Sequence, residues 1–181
     1  MKLQRQLSRP CPLSELEELR LPNKIRCVTA KHYRVPLAEV LYDAKHGNHT
    51  HFELITVEII LESNLVGVGY TYIGGKGGSA IHRLVVDDLA PTLIGQDADK
   101  VEELWKMLNW HVHFVGRGGI ASFAIATLDI ALWDLRAKSQ RLPLWKLLGG
   151  NQPEVRAYAG LIDLNYTMER EQEVIAEKLE Q

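Results

Sequence analysis

Apolar residues recur at steps of three and four along Ala121, Ile125, Leu128, Leu132 and Leu135, which is one stripe of an α-helix predicted over Ile120–Lys138. Asp134, Arg136 and Lys138 occupy its other side. Pro143 stops this helix and starts a short one over Leu144–Leu148, where Gly149 and Gly150 stand at the position that favours a left-handed cap. Two joined helices follow.

Upstream, Ile25–Tyr33, Ile55–Glu62 and Gly67–Ile73 are rich in β-branched and aromatic residues, and the polar turn Glu62–Leu65 between the last two predicts an antiparallel hairpin. Three strands in a meander result. Helical patterns over Ala80–Leu89, Asp99–Trp110 and Ile120–Lys138 come next, broken by Pro91, Gly95 and the Gly116–Gly119 run. Strands first and helices afterwards predict an α+β domain, a three-stranded antiparallel meander followed by a helical bundle. Before it, Ser14 and Glu17 form a capping-box pair in an N-terminal extension over residues 1–22. After Gly150 the pattern changes to a strand over Val155–Ala159, a loop over Asp163–Tyr166 and a helix capped by Thr167 with Glu169 and Glu171 in its first turn. A β/α unit has begun, and a parallel strand needs neighbours to bury it.

The stretch from Ser122 to Gly150 resembles the enolase superfamily, in its mandelate racemase and muconate lactonizing branch. The resemblance lies in a D-x-A-L-W-D core (Asp129, Ala131, Leu132, Trp133, Asp134), then Lys138, Leu142 and Pro143, and a K-L-L-G-G ending (Lys146, Leu147, Leu148, Gly149, Gly150). Val66–Tyr70 resembles the G-x-G turn of the second capping strand, and Gly116–Gly119 the turn before the long helix. The match runs from about Lys24 to the C-terminus and is most like the galactarate and talarate dehydratases. It implies an enolase-like capping domain over residues 23–150 and, over 151–181, the first strand and helix of a TIM-type (β/α) barrel that the chain leaves incomplete.

The resemblance further implies a Mg2+-dependent sugar-acid dehydratase or racemase. Such enzymes abstract the proton next to a carboxylate with a Lys-x-Lys pair or a His/Asp dyad, while Mg2+ on three acidic residues stabilises the enediolate. None of these positions matches residues 1–181, so no catalytic residue and no metal ligand is carried over. Mg2+ is expected in the intact family member and not on this fragment. Asp129 and Asp134, five apart on a helix, point in different directions and read as structural. What a capping domain contributes is a substrate lid of two loops, here Val40–His51 and Tyr72–Ala80. Tyr42, Lys45, His46, His49, Tyr72 and Lys76 are the candidate substrate-binding residues, suited to the hydroxyls and distal carboxylate of a sugar acid. The glycines around Lys76 allow close backbone approach. Lys45 and Lys76 lead. The other reading is a catalytically inactive capping fragment with a structural or association role.

Composition narrows the remaining classes. With 181 residues and 46% hydrophobic content the chain can bury a core. A net charge of -2 with interspersed signs gives no basic stripe for nucleic acid and no polybasic membrane patch. Cys11 and Cys27 read as reduced thiols, and the polar N-terminus as no signal peptide, so cytoplasmic residence is expected; a homo-oligomer is expected beside it, as part of what the resemblance implies. Both His49-x-His51 and His111-x-His113, with His46, imitate a zinc site. No Cys pair or Glu accompanies them, and they read as satisfied surface histidines. The run Gly74–Gly78 lacks phosphate-loop spacing, and Trp105, Trp110, Trp133 and Trp145 read as packing residues.

Overall fold

The computed structural model describes residues 23–158 and 163–179; the proposed extension over residues 1–22, with its Ser14–Glu17 cap and Cys11, lies outside them. Three strands, β1 (Ile25–Asp43), β2 (Gly47–Leu61) and β3 (Val66–Ile73), form one antiparallel sheet in the order β1-β2-β3. Helical segments follow as α1 (Gly78–Arg83), a π-helical turn (Leu84–Leu89), α2 (Ala90–Leu93), α3 (Val101–His111), α4 (Gly119–Ser139), α5 (Leu144–Leu147) and α6 (Met168–Leu179). None of these described helices is long and apolar enough to cross a membrane.

The meander is the predicted one, and its alternation explains which face is covered. Ile55, Val57, Ile59 and Leu61 of β2 are buried on one side, and Val68, Tyr70 and Tyr72 of β3 are exposed on the other. The buried side packs on α4, whose stripe Ala121, Ile125, Leu128, Leu132 and Leu135 is buried as the periodicity predicts. Burial of such side chains is worth roughly 1.5–3 kcal/mol each. At the β2–β3 turn Asn64 takes φ 67°, and the N–H of Leu61 donates to the carbonyl of Leu65 (2.9 Å). The short helix α5 ends as expected: Gly149 has φ 85°, and the N–H groups of Gly149 and Gly150 donate to Lys146 and Trp145, the paired bonds of a Schellman cap.

The glycines of Val66–Tyr70 have a steric cause. A Cβ on Gly67 would lie 2.3 Å from the carbonyl oxygen of Ala131, and one on Gly69 only 2.0 Å from that of Thr127. Strand and helix therefore touch backbone to backbone. Asp134 and Lys138 complete the junction: the N–H of Val68 donates to the Asp134 carboxylate (2.8 Å), and the Lys138 ammonium donates to the Val66 carbonyl (2.9 Å) and to Asp134 (2.6 Å). Asp129 faces elsewhere, into an open depression of about 450 Å3 that it shares with Val101, Glu102, Trp105, Lys106 and Trp133. Burial first, and the nearby Glu102 carboxylate second, push its pKa above the usual carboxylate range. The two aspartates of the D-x-A-L-W-D core thus have separate structural surroundings.

Four expectations are corrected. The segment Val40–His51 is not an irregular loop: β1 continues to Asp43, β2 starts at Gly47, and the strands stay paired across a register shift between Pro36 and Leu41. Polar residues there hid a strand whose two faces are both partly solvated. Pro91 does not end its helix. The preceding π-helical turn, in which the N–H of Ala90 reaches back to Val85, widens the backbone so that the ring is accommodated one residue later. Over 151–158 there is no strand; Val155 and Tyr158 are exposed, and no described strand lies beside them to pair. The following helix does form, with the N–H of Arg170 donating to the Thr167 hydroxyl (3.3 Å). Trp110 is 72% exposed rather than packed, its ring stacked on His113 where the buried side of α3 runs out.

Two outcomes are expected. Gly69→Ala drives its methyl into the α4 backbone and should cost about 3 kcal/mol or more, at the upper end of overpacking. Gly74→Ala, whose methyl meets only the His49 ring at 3.8 Å, should cost far less. Urea midpoints of the two variants check this, and equal shifts would refute the backbone contact. Second, the raised pKa of Asp129 means the folded state binds its proton more readily than the unfolded chain, so stability is lost as pH rises through the raised value. Asp129→Asn should therefore stabilise the domain at neutral pH and make no difference below about pH 4. Thermal melts across that range decide it.

Candidate functional site

The two proposed lid segments meet at one end of the sheet. The first is the tip of the β1–β2 hairpin, where the Asp43 carboxylate accepts the backbone N–H groups of Lys45 and His46 (both 2.8 Å). An aspartate ending a strand two and three residues before those donors is a side-chain-closed turn, and Gly47, with φ 75°, lets the chain re-enter β2. The same carboxylate holds two imidazoles: His46 Nδ1 lies 3.0 Å from it and His49 Nε2 2.5 Å. These contacts, His49 foremost, hold the Asp43 carboxyl well below the usual carboxylate range.

The second segment, Gly74–Gly77, folds against the first. A Cβ on Gly74 would meet the His49 ring at 3.8 Å, and one on Gly75, whose φ is 80°, the His51 ring at 3.1 Å. Glycine here permits a close approach to the protein's own imidazoles. The turn then opens α1, where the N–H of Gly78 donates to the Glu53 carboxylate (2.8 Å), which also lies 3.5 Å from His32 Nε2.

Each candidate residue has a definite place. Tyr42 donates its backbone N–H to Asp163 (3.2 Å) and accepts that of Leu164 (3.0 Å), so it ties the hairpin to the segment before α6. Tyr166 donates its hydroxyl to Glu39 on the same arm (2.6 Å). Lys45 and Lys76 are exposed at the hairpin tip and on the glycine turn. Tyr72, 61% exposed, meets Phe52 edge-on at 5.9 Å, and Phe52 stacks on His49 at 6.1 Å. His51 turns away from His49, toward Arg34 (3.5 Å) and Thr50 (3.0 Å), so the His49-x-His51 pair shares no site. His113 bonds the Trp110 carbonyl (2.7 Å). Asp43 lies inside the proposed Val40–His51 lid segment but is missed there as its organiser; the readable signal was an aspartate four residues before a glycine between two strands.

Asp43, His46 and His49 form a group whose ligand atoms all lie within 4.8 Å of one another. Two imidazoles and one carboxylate do not suit Mg2+, which takes oxygen ligands in octahedral geometry. Among the described residues no three carboxylates are gathered.

Comparison with known proteins places this architecture. Residues 28–149 match the model of the mandelate racemase/muconate lactonizing enzyme N-terminal domain. The 3,6-anhydro-alpha-L-galactonate cycloisomerase of Streptomyces coelicolor is 48% identical over 132 residues, 73% of this chain and 37% of that protein. The L-talarate/galactarate dehydratase of Salmonella typhimurium is 37% identical over 129 residues, 68% of this chain and 32% of that protein. Among solved structures, a racemase from Streptomyces coelicolor A3(2) with bound magnesium superposes with a TM-score of 0.82 at 43% identity, over 86% of this chain and 43% of that one. An L-talarate dehydratase from Polaromonas sp. JS666, complexed with Mg and L-glucarate, gives 0.79 at 31% identity, over 87% and 43%. The chain spans less than half the length of these relatives. With its meander, glycine-backed helix and family match in register, the chain belongs to the mandelate racemase/muconate lactonizing enzyme family of the enolase superfamily, as its N-terminal domain.

Proposed function

We propose that this chain supplies the substrate-selecting lid of a sugar-acid dehydratase, racemase or cycloisomerase that acts by removing the proton next to a carboxylate. Residues 23–150 are the capping unit in this reading, and 151–181 begin the barrel. The observation that carries the lid assignment is the meeting of the hairpin tip with the glycine turn, which sets exposed Lys45 and Lys76 on two neighbouring segments. The names of the relatives, which include a talarate/galactarate dehydratase and a structure holding L-glucarate, support a hydroxylated acid as substrate.

The roles follow from the chemistry of the groups. Lys45 and Lys76 are compact cations that donate to the distal carboxylate of a diacid. Tyr42, His46, His49 and Tyr72 flank them as partners for hydroxyls. His46 and His49 each spend one ring nitrogen on Asp43, which orients the other. Closure of such a lid excludes water and strengthens each charged contact. Mg2+ belongs to this reading as the cofactor of the whole enzyme, supported by the magnesium in related structures. The histidine-rich cluster on the hairpin does not fit it, and no step is assigned to Mg2+ on this chain.

The test places residues 23–150 on the remainder of the Salmonella typhimurium dehydratase. Lys45→Ala and Lys76→Ala each remove a charge-assisted hydrogen bond of about 1.5–3 kcal/mol. That is roughly ten- to a hundredfold in kcat/KM for a diacid, with a much smaller loss for its monoacid analogue. Folding should hardly change, because exposed lysines contribute little to stability. Equal small effects on both substrates would make the two segments solvated cover without a role in selection.

A further inference from the structure

The geometry points to a second metal site, separate from the Mg2+ chemistry of the family: Asp43, His46 and His49 form a three-ligand site for a borderline divalent ion of the Zn2+ class at the hairpin tip. The three residues follow at steps of three across one tight turn, so a single local fold assembles the whole set. Their ligand atoms lie within 4.8 Å of one another, with His46 Nδ1 and His49 Nε2 already 3.0 and 2.5 Å from the carboxylate. Ligands about 2.0–2.1 Å from a tetrahedral zinc stand roughly 3.4 Å apart, so small side-chain rotations complete the coordination. Two neutral imidazoles and one carboxylate match the preference of Zn2+, Co2+ and Ni2+ and oppose that of Mg2+ and Ca2+.

The surroundings hold these ligands in position, as outer contacts do in established sites. The N–H groups of Lys45 and His46 fix the Asp43 carboxylate, and the Phe52 ring stacks on His49 with 24° between the planes. His49 is only 14% exposed at its side chain, whereas His46 is 68% exposed and leaves the ion an approach from solvent. Three protein ligands leave a fourth position for water or a small oxygen ligand. Bound there, the ion joins the end of β1 to the start of β2 more firmly than a hydrogen bond does. The lid tip becomes rigid when metal is present.

Titration of the whole chain, purified without a histidine tag, with Co2+ followed by visible absorption and with Zn2+ followed by calorimetry tests the site. One equivalent should bind, in the presence of excess Mg2+, and the imidazole NMR signals of His46 and His49 should shift while those of His32 and His82 stay. His46→Ala and the double variant His46→Ala/His49→Ala should weaken binding by about 100-fold or more, since even outer contacts of a metal site are worth 10–100-fold. His49→Gln keeps a donor toward Asp43 while removing the imidazole, so it should fold normally, by circular dichroism, and still lose the metal. His51→Ala should bind as the unaltered chain does. Half-saturation above about 1 mM, undiminished binding by the double variant or by His49→Gln, or competition by Mg2+ at equal concentration would overturn the site.

Discussion

Everything in this domain is arranged around the contact of β3 with α4, where Gly67 and Gly69 bring the strand against the carbonyl oxygens of Ala131 and Thr127. A side chain at either glycine would hold the helix away from the sheet, and the buried row of β2 would lose its cover. The direction of β3 is then fixed, and so is the place where Gly74–Gly77 leaves it. That turn reaches His49 and His51 because the strand behind it is clamped. Helix packing and lid geometry therefore share one cause.

Above this clamp, the lid is built differently. The core depends on apolar area, while the hairpin tip, with Ala44–His46 exposed, depends on one carboxylate with four donors: two backbone N–H groups and two imidazoles. A polar arrangement of that kind defines a shape without needing burial, which suits a segment that faces a changing ligand. Contacts from Asp163, Leu164 and Tyr166 to Tyr42 and Glu39 brace the arm from the other side.

The core was legible in the sequence because its signals are periodic and local. The stripe of α4, the Asn64 turn and the Gly149–Gly150 cap each follow from residues within a few positions of one another. The burial of the stripe and the positive φ angles of Asn64 and Gly149 agree with them. The arm of β1 and β2 beyond Pro36 was not legible as strand, since residues such as Glu39, His49 and His51 are partly exposed on both faces and leave no alternation. Pro91 misled for a related reason: its exclusion from a helix assumes regular α geometry, and a π turn removes that premise. Of the lid residues, the positions of Lys45 and Lys76 could be read from the turns that hold them. The gathering of His46 and His49 by Asp43 was missed, because Val40–His51 reads as an irregular polar loop and the tight turn that brings the three together, within six residues, goes unrecognised.

The bonds from Asp134 and Lys138 to β3 have one more consequence. β3 is one of the two edge strands of the sheet, and its Val68 N–H and Val66 carbonyl are groups a foreign strand would use to add itself there. Both are already occupied by side chains from α4. The same helix that requires Gly67 and Gly69 thus also takes up two of the pairing groups on the edge they belong to. Asp134 and Lys138 thereby block foreign pairing at these two groups of the β3 edge while they hold strand and helix together.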